Sequence, residues 1–214
     1  MTSFSKGEKT KNSIIKRINK LFNEKEMLLT WDEMAIELNL SRSRITNYFP
    51  KKELLILAIY YEFEKTLKKF LENHHQNAET NSLEHLKDYY SDVMALLFEY
   101  RFSISYVLVN PMNDKELRSH INSTYSANKV RLYERVTKLC QMGILDERLL
   151  LDDHFDPFTF QHTNLLTTWV ISYRLYDGSQ DFSEMKPIYL KGILNCYLPY
   201  LTKKGQSQFE GLIF

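Results

Sequence analysis

The sequence predicts an all-α protein. Its apolar residues recur every three or four positions, which is the spacing of helices that bury one face, and they do not alternate as in strands. Only 6 Gly and 5 Pro occur among 214 residues, too few for the many tight turns of a sheet-rich domain. A hydrophobic share of 43% is ordinary for a folded globular protein. We therefore expect a succession of packed helices.

The first predicted helix runs from about residue 12 to residue 25, and the second starts after Thr30. Thr30 and Glu33 have the spacing of a capping box, in which each side chain satisfies an unpaired backbone N–H. Asn39 is expected to end the second helix, because asparagine tolerates the left-handed conformation that stops helices. The predicted buried faces are Ile14, Ile18, Leu21 and Phe22 in the first helix, and Trp31, Met34, Ala35 and Leu38 in the second.

A third predicted helix covers residues 42–49. Ser41 is a good N-cap for it, and Pro50 ends it. The second and third helices are thus short and joined by a tight turn, which is the helix-turn-helix arrangement. A long fourth helix follows Lys51-Lys52-Glu53.

The faces of the third helix follow from its geometry. At about 100° per residue, Ile45 and Phe49 share one face and are expected to pack on the second helix. Ser43 and Asn47 then lie on the opposite face. Such a polar face suits the major groove of DNA, where Arg, Asn and Ser side chains match the donors and acceptors of bases. Alternatively, it is an ordinary solvated surface without a partner.

Helical patterns continue near residues 83–109, 114–142, 157–176 and 184–201, and the polar segment 73–82 separates them from the fourth helix. We expect Asn110-Pro111 to stop the first of these patterns and Gly143 to cap the second. Asp156-Pro157 is predicted to start the third, with proline at its first position, and Asp177-Gly178 to end it. Residues 202–214 are predicted to be a short tail.

Charge is distributed unevenly along the chain. Residues 1–55 contain eleven basic and seven acidic side chains, so that segment carries +4 and the remainder of the +1 chain carries −3. A basic module on a mildly acidic body is expected where one end binds a polyanion. Chance variation on solvated faces predicts the same numbers.

Cys140 and Cys196 lie far apart inside helical patterns, so we interpret them as buried apolar residues rather than as a disulfide or a zinc site. The polar, basic amino terminus lacks the apolar run of a secretory signal. No stretch approaches the roughly 20 apolar residues that a membrane span needs. These features predict a cytoplasmic protein with no membrane partner.

The segment from residue 30 to residue 55 resembles the signature of the TetR family of transcriptional repressors. The matching features are the Thr30 cap, the Met34-Ala35 pair, the Asn39-Leu40-Ser41 turn, Tyr48-Phe49 at the end of the third helix, and Lys52-Glu53-Leu54-Leu55. With Ile14, Ile15, Leu21 and Phe22 upstream, the resemblance covers about residues 11–58. Asn39 stands where the family has glycine, Thr46 where it has tyrosine, and the glycine usual after the first helix is missing.

The resemblance implies a regulator, expected to be a repressor, that binds pseudo-palindromic operator DNA as a homodimer and is released by a small-molecule inducer. It implies a DNA-binding domain over residues 1–55 and a helical ligand-binding and dimerisation domain over residues 56–214, without a cofactor or an enzymatic activity. It also implies base reading by Arg42, Ser43, Arg44 and Asn47, and phosphate contacts by Thr30, Thr46, Tyr48 and Lys52.

Family members dimerise through their last two helices and enclose the inducer among the middle ones. The dimerisation candidates are Leu165, Leu166, Tyr173, Leu190, Ile193, Leu194 and Tyr197. The ligand-binding candidates are Phe98, Phe102, Tyr106, Tyr125 and Trp169, with His162 as a polar anchor, because such pockets are apolar with few polar groups. Either set alternatively belongs to the chain's own core.

Two other functions are compatible with the sequence. The first is a metal-dependent enzyme. Only Asp152-Asp153-His154 and His74-His75 suggest a metal, and neither has a helix-spaced second ligand. No GxSxG, Walker, dinucleotide or HExxH pattern occurs. The second is a protein-interaction module with a degenerate helix-turn-helix, whose binding would lack the steep salt dependence of phosphate contacts.

Overall fold

The computed structural model describes residues 5–77, 82–110 and 115–214, except for the side chains of residues 74–77. Within these ranges the chain forms ten α-helices and no β-strand, which confirms the predicted all-α class. The helices are α1 (Lys6–Lys25), α2 (Trp31–Leu38), α3 (Arg42–Thr46), α4 (Lys52–Asn77), α5 (Leu83–Glu99), α6 (Arg101–Val109), α7 (Lys115–Gln141), α8 (Asp152–Ser172), α9 (Phe182–Leu194) and α10 (Lys203–Glu210).

The chain divides into two compact units. The first combines Met1–Phe70 with Leu96–Pro111, and the second combines Leu71–Ala95 with Met112–Phe214. The long helices α4 and α5 each contribute to both units. The division into domains at residues 1–55 and 56–214 stays a prediction.

The predicted caps of the helix-turn-helix are present. Thr30 and Glu33 form both hydrogen bonds of a capping box, and Asn39 ends α2 in the left-handed conformation with φ 52°. A second capping box, between Ser5 and Glu8, starts α1 at Lys6, six residues before the predicted start at about residue 12. The third helix ends at Thr46 rather than Phe49, although Phe49 still donates a 3.0 Å hydrogen bond to the carbonyl oxygen of Ile45.

The single helix predicted over 83–109 is wrong, because the chain breaks at Tyr100 into α5 and α6. Asn23 of α1, which is buried, stabilises this break. Its Nδ2 donates to the carbonyl oxygen of Glu99 at 2.5 Å, and its Oδ1 accepts from the backbone N–H of Phe102 at 3.0 Å. A distant side chain thus satisfies backbone groups that a helix end leaves unpaired, and no local pattern reveals this.

The predicted start of a helix at Pro157 is also wrong. Helix α8 begins at Asp152, and Pro157 lies inside it. Asp152 and Asp153 occupy the first turn, where negative charge is favoured by the helix dipole. A proline in the second turn of a helix removes one backbone hydrogen bond, and the helix tolerates that loss here.

The carboxyl-terminal region differs from its prediction in two ways. The helix expected over 184–201 ends as α9 at Leu194 and continues as a 3-10 turn through residues 195–200, which contain Pro199. The expected tail contains a helix, α10. Thr202 caps α10 by accepting a hydrogen bond from the N–H of Gly205, because an N-cap hydroxyl can satisfy a donor in the first turn.

Candidate functional site

Helix α3 is anchored by two apolar side chains. Ile45 and Phe49 are 0% and 2% exposed, and Ser41 caps the helix by accepting from the N–H of Arg44 at 3.3 Å. Ser43 and Asn47 are exposed, as the helical periodicity predicts for residues opposite the anchor. The structure therefore presents a short polar surface fixed by a buried base.

Arg42 and Arg44 are exposed beside that surface but have different surroundings. Arg42 pairs with Asp32 at the start of α2, with 3.5 Å between Nη1 and Oδ2. The two side chains are 60% and 69% exposed, so the pair is weak and leaves the guanidinium able to reorient. Arg44 lies instead on the wall of a basic cleft.

This cleft has a volume of about 270 Å³. Four of its eight lining residues are lysine or arginine, and none is acidic, so it favours an anion. Its walls are Lys6, Lys9, Thr10, Ser13, Ile14, Arg17, Leu40 and Arg44. Sequence reasoning missed Lys6, Lys9 and Arg17, although their i, i+3 and i+11 spacing places them along one side of α1.

The four residues expected to contact phosphate differ in their exposure and in their hydrogen bonds. The hydroxyl of Thr30 donates to Glu33 at 2.7 Å and accepts from the backbone N–H of Glu33 at 3.2 Å, so its only hydrogen is used in the cap. The backbone hydrogen bond and then the hydroxyl of Thr30 lower the pKa of Glu33. Thr46, Tyr48 and Lys52 are half-buried, and Lys52 is the first residue of α4.

The ligand-binding candidates do not all fall in one unit. Phe98, Phe102 and Tyr106 belong to the first unit. There the Phe102 ring packs on Phe22 of α1 with centroids 4.9 Å apart, and Arg101 lies 4.2 Å from the Phe98 ring. Tyr125, His162 and Trp169 belong to the second unit, where Tyr125 is 44% exposed.

His162 lies in an aromatic cluster of the second unit. Its ring is 2% exposed and lies 5.0 Å from Tyr90, 5.5 Å from Phe158 and 5.6 Å from Tyr197, measured between centroids. Burial, and then the positive charge of Arg135, lower the pKa of His162 to about 3. The imidazole is therefore neutral at pH 7, and its Nε2 has no hydrogen-bond partner.

Trp169 lies two turns further along α8. Its indole stacks on Phe182, with centroids 5.4 Å apart, and its Nε1 also has no hydrogen-bond partner. Thr159, one turn before His162, is buried with an unpartnered hydroxyl. Three unpartnered polar atoms thus follow one side of α8, in contrast to the usual pairing of buried polar groups.

Most dimerisation candidates are buried within this single chain. Tyr173, Leu190, Ile193, Leu194 and Tyr197 are 0–6% exposed, so they offer little surface to a second copy. Leu166 is half-buried and Leu165 is 41% exposed. The same region carries other exposed apolar side chains, which are not among the candidates predicted from sequence. They are Phe160, Leu175, Tyr176, Ile188 and Leu198.

Within the described part of the chain, no three His, Cys, Asp or Glu side chains are grouped as a metal site would need. His154 lies instead against Tyr200, with ring centroids 5.8 Å apart. The side chains of His74 and His75 lie outside the described residues. No helix among the described residues is long and apolar enough to cross a bilayer.

Comparison with known proteins adds a family match. Residues 62–209 match the model of the TetR family, whose description is bacterial transcriptional repressor. The match covers more than two thirds of the chain and begins inside α4. It therefore leaves out the helix-turn-helix, so it is independent of the resemblance over residues 11–58. Among curated proteins, none matches this chain.

Two solved structures share the fold. A TetR-family transcriptional regulator from Marinobacter aquaeolei VT8 is 22% identical with a TM-score of 0.77, covering 94% of this chain and 95% of the other. A TetR-family structure from Mesorhizobium loti MAFF303099 is 13% identical with a TM-score of 0.58, covering 93% of this chain and 100% of the other. Both similarities extend over nearly the whole length of the chain.

Proposed function

Because this chain belongs to the TetR family of bacterial transcriptional regulators, we propose that it is a homodimeric repressor that binds operator DNA through α3 and is released by a small molecule. The observation that carries the proposal is the polarity of α3. Ile45 and Phe49 are buried beneath it, whereas Ser43 and Asn47 are exposed. The proposal assigns no catalytic step to the chain and locates it in the cytoplasm, where the chromosome lies.

Base reading is assigned to four exposed residues of α3 and its C-cap. In the major groove, arginine bonds two acceptors of guanine, asparagine bonds adenine at two atoms, and serine bonds either base or phosphate. Arg42 must leave its weak pair with Asp32 to take part. The residues are Arg42, Ser43, Arg44 and Asn47.

Phosphate binding is assigned to the basic cleft together with Lys52. The cleft gathers Lys6, Lys9 and Arg17 beside Arg44, so a phosphate next to the base that Arg44 reads would meet several cations. Lys52 stands at the amino terminus of α4, where free backbone N–H groups also attract phosphate. Thr30 contributes mainly through its cap on α2, while Thr46 and Tyr48 stay candidate phosphate ligands.

Dimerisation is assigned to the exposed apolar side chains near the carboxyl terminus. Phe160, Leu175, Tyr176 and Ile188 are 69%, 70%, 78% and 62% exposed, and large contiguous apolar surface marks protein interfaces. Leu165 and Leu166 lie on α8 with Phe160, whereas the buried candidates offer little surface to a second copy. A two-fold dimer of this kind places two recognition helices about 34–36 Å apart, one turn of DNA.

Release by a small molecule requires two states of the dimer with different affinities for DNA. A ligand that binds the second unit of one state more tightly shifts the population toward it, and DNA affinity changes by the same coupling free energy. The unpartnered polar atoms of α8 support a ligand site in this unit.

A mobility-shift titration with the DNA upstream of the protein's own gene tests the proposal. Replacing both Arg44 and Asn47 by alanine is expected to abolish specific binding while the dimer stays folded. The matched control replaces Arg118 and Asn122 by alanine. These are the same residue types on the exposed surface of α7, and DNA binding should persist.

The same titration at two salt concentrations separates DNA binding from a protein-interaction role. Phosphate contacts predict a steep loss of affinity between about 50 mM and 200 mM salt. If the double variant at Arg44 and Asn47 kept its operator preference, the assignment of α3 as the reading helix would be wrong. Binding that does not respond to salt would favour a degenerate helix-turn-helix.

A further inference from the structure

The second unit contains a polar cluster built from four elements, in which Tyr90, Tyr197 and His162 are buried and Arg135 is half-buried. Tyr90 of α5 and Tyr197 of the 3-10 turn have hydroxyl oxygens 2.7 Å apart. Arg135 of α7 donates a long, 3.5 Å hydrogen bond to the Tyr90 hydroxyl. His162 of α8 lies against both tyrosine rings. All four residues belong to one compact unit.

Arg135 has no counter-ion among the described residues. Its guanidinium lies 3.9 Å from the Tyr89 ring centroid and 5.7 Å from that of Tyr90, and none of the ion pairs among the described residues includes it. Aromatic faces attract a cation, but they do not neutralise it. The Arg135 side chain is half-buried, so part of its hydration is lost, and a carboxylate beside it would form the strong, charge-assisted kind of hydrogen bond.

The cluster has more donors than acceptors. The two tyrosine hydroxyls carry two hydrogens, and their mutual hydrogen bond uses one. Burial raises the pKa of both Tyr90 and Tyr197, so both hydrogens stay in place at neutral pH. Thr159 adds a hydroxyl without a partner, and His162 adds an unpartnered Nε2. Together with the guanidinium, these groups offer more hydrogen-bond donors than the described residues of the cluster have acceptors for.

Charge decides which acceptor fits. Because the buried imidazole of His162 is neutral, Arg135 supplies the only full charge of the cluster. A water molecule would satisfy Thr159 and His162, but it would leave the guanidinium unneutralised. One carboxylate would do both, since it accepts several hydrogen bonds and pairs with arginine at two atoms. The aromatic rings around it suit an apolar body.

We propose that the Arg135, Tyr90, Tyr197 and His162 cluster binds the carboxylate of a small monocarboxylic acid with an apolar body, and that such acids are the effectors of this regulator. The effector role rests on the proposed function, namely that a small molecule bound to the second unit releases DNA. The binding site itself rests on the cluster alone.

The test measures thermal unfolding of the full-length protein with five acids: benzoate, phenylacetate, 3-phenylpropanoate, hexanoate and octanoate. The primary amide of each acid has nearly the same shape without the charge and serves as its control. We expect at least one carboxylate to raise the unfolding midpoint in a saturable way, and its amide to have little effect. Equal effects of acid and amide, or no response to any of the five acids, would overturn the proposal.

Variants then locate the site. Arg135→Gln is expected to weaken binding of the active acid at least about tenfold, which is the usual effect of losing a charge-assisted hydrogen bond. Arg131→Gln is the matched control, because Arg131 lies one turn away on α7 and bonds Asn128 instead. Tyr197→Phe removes one hydroxyl only and keeps the ring, so it tests the site even if Arg135→Gln does not fold. Unchanged affinity in the folded variants would refute the assignment.

Mobility shifts with and without the active acid separate this inference from the proposed function. If the acid binds in an Arg135-dependent way but no DNA is bound at all, the site stands and the repressor proposal fails. If the protein binds its operator and an uncharged compound alone releases it, the repressor proposal stands and the carboxylate site fails.

Discussion

Arg17 of α1 donates a 2.6 Å hydrogen bond from Nη2 to the carbonyl oxygen of Leu38, the last residue of α2. The final carbonyl groups of a helix lack partners within it, and a positive charge there also complements the helix dipole. The following residue, Asn39, turns the chain into α3. Arg17 therefore fixes α1 to the turn that positions the proposed recognition helix.

Replacing Arg17 by glutamine should lower the free energy of unfolding by about 1–2 kcal/mol, the effect of losing a hydrogen bond to a charged donor. Urea unfolding of the purified protein measures it. Lys16→Gln is the control, because Lys16 is an exposed neighbour and its loss should change stability little. Equal destabilisation by the two substitutions would show that the contact with Leu38 does not stabilise the turn.

Substitutions at Asn39 test the left-handed conformation of the turn between α2 and α3. Its φ of 52° lies in the left-handed region, which costs most side chains about 1–2 kcal/mol but costs glycine little. We expect Asn39→Ala to be less stable than the wild type, and Asn39→Gly to match or exceed it. Urea unfolding orders the three proteins. A more stable alanine variant would contradict the left-handed geometry.

The helix-turn-helix could be predicted from sequence because its determinants are local. The Thr30–Glu33 box, the Asn39 stop and the Ser41 cap each involve hydrogen bonds to groups only three or four residues away, and the Ile45–Phe49 spacing defines the buried side of α3. The break at Tyr100 could not be predicted, since its cap is Asn23, 79 positions away from Phe102. The start of α1 is equally local, because the Ser5–Glu8 capping box that begins it spans only four residues.

The candidate sites likewise differ in whether local sequence or tertiary packing determines them. Residues on α3 sort into buried and exposed by periodicity alone. The cluster around His162 does not, because Tyr90, Arg135 and Tyr197 come from separate helices and meet only through tertiary packing. Sequence alone therefore does not identify Arg135 as part of a site. An apolar stripe on a helix predicts that its residues are buried, but it does not show whether they pack within their own chain or against a second copy. The dimerisation candidates Ile193 and Leu194 are buried within their own chain.

Two glycines provide a matched pair of substitutions. Gly205 in α10 packs on the backbone of Ile144, so an added Cβ would clash with that carbonyl oxygen, whereas nothing lies within 4 Å of a Cβ at Gly192 in α9. Gly205→Ala should destabilise by about 1–3 kcal/mol, as overpacking does. Gly192→Ala should stabilise by about 0.5–1 kcal/mol, because alanine favours helix more than glycine does. Urea midpoints of the same sign for both variants would contradict the packing of α10.

The buried imidazole of His162 should make stability depend on pH. Its pKa is lowered from 6.5 to about 3 by burial and by Arg135, so between these values the unfolded chain binds a proton that the folded chain does not. The contribution of His162 to the free energy of unfolding is therefore complete above pH 6.5. It decreases as pH falls toward 3, by at most about 1.4 kcal/mol per pH unit. Urea unfolding from pH 7 to pH 4 should show this slope in the wild type and in His154→Gln, superimposed on the carboxylate background. His162→Gln should show a smaller slope, and an unchanged slope in that variant would mean that His162 takes up its proton equally in both states.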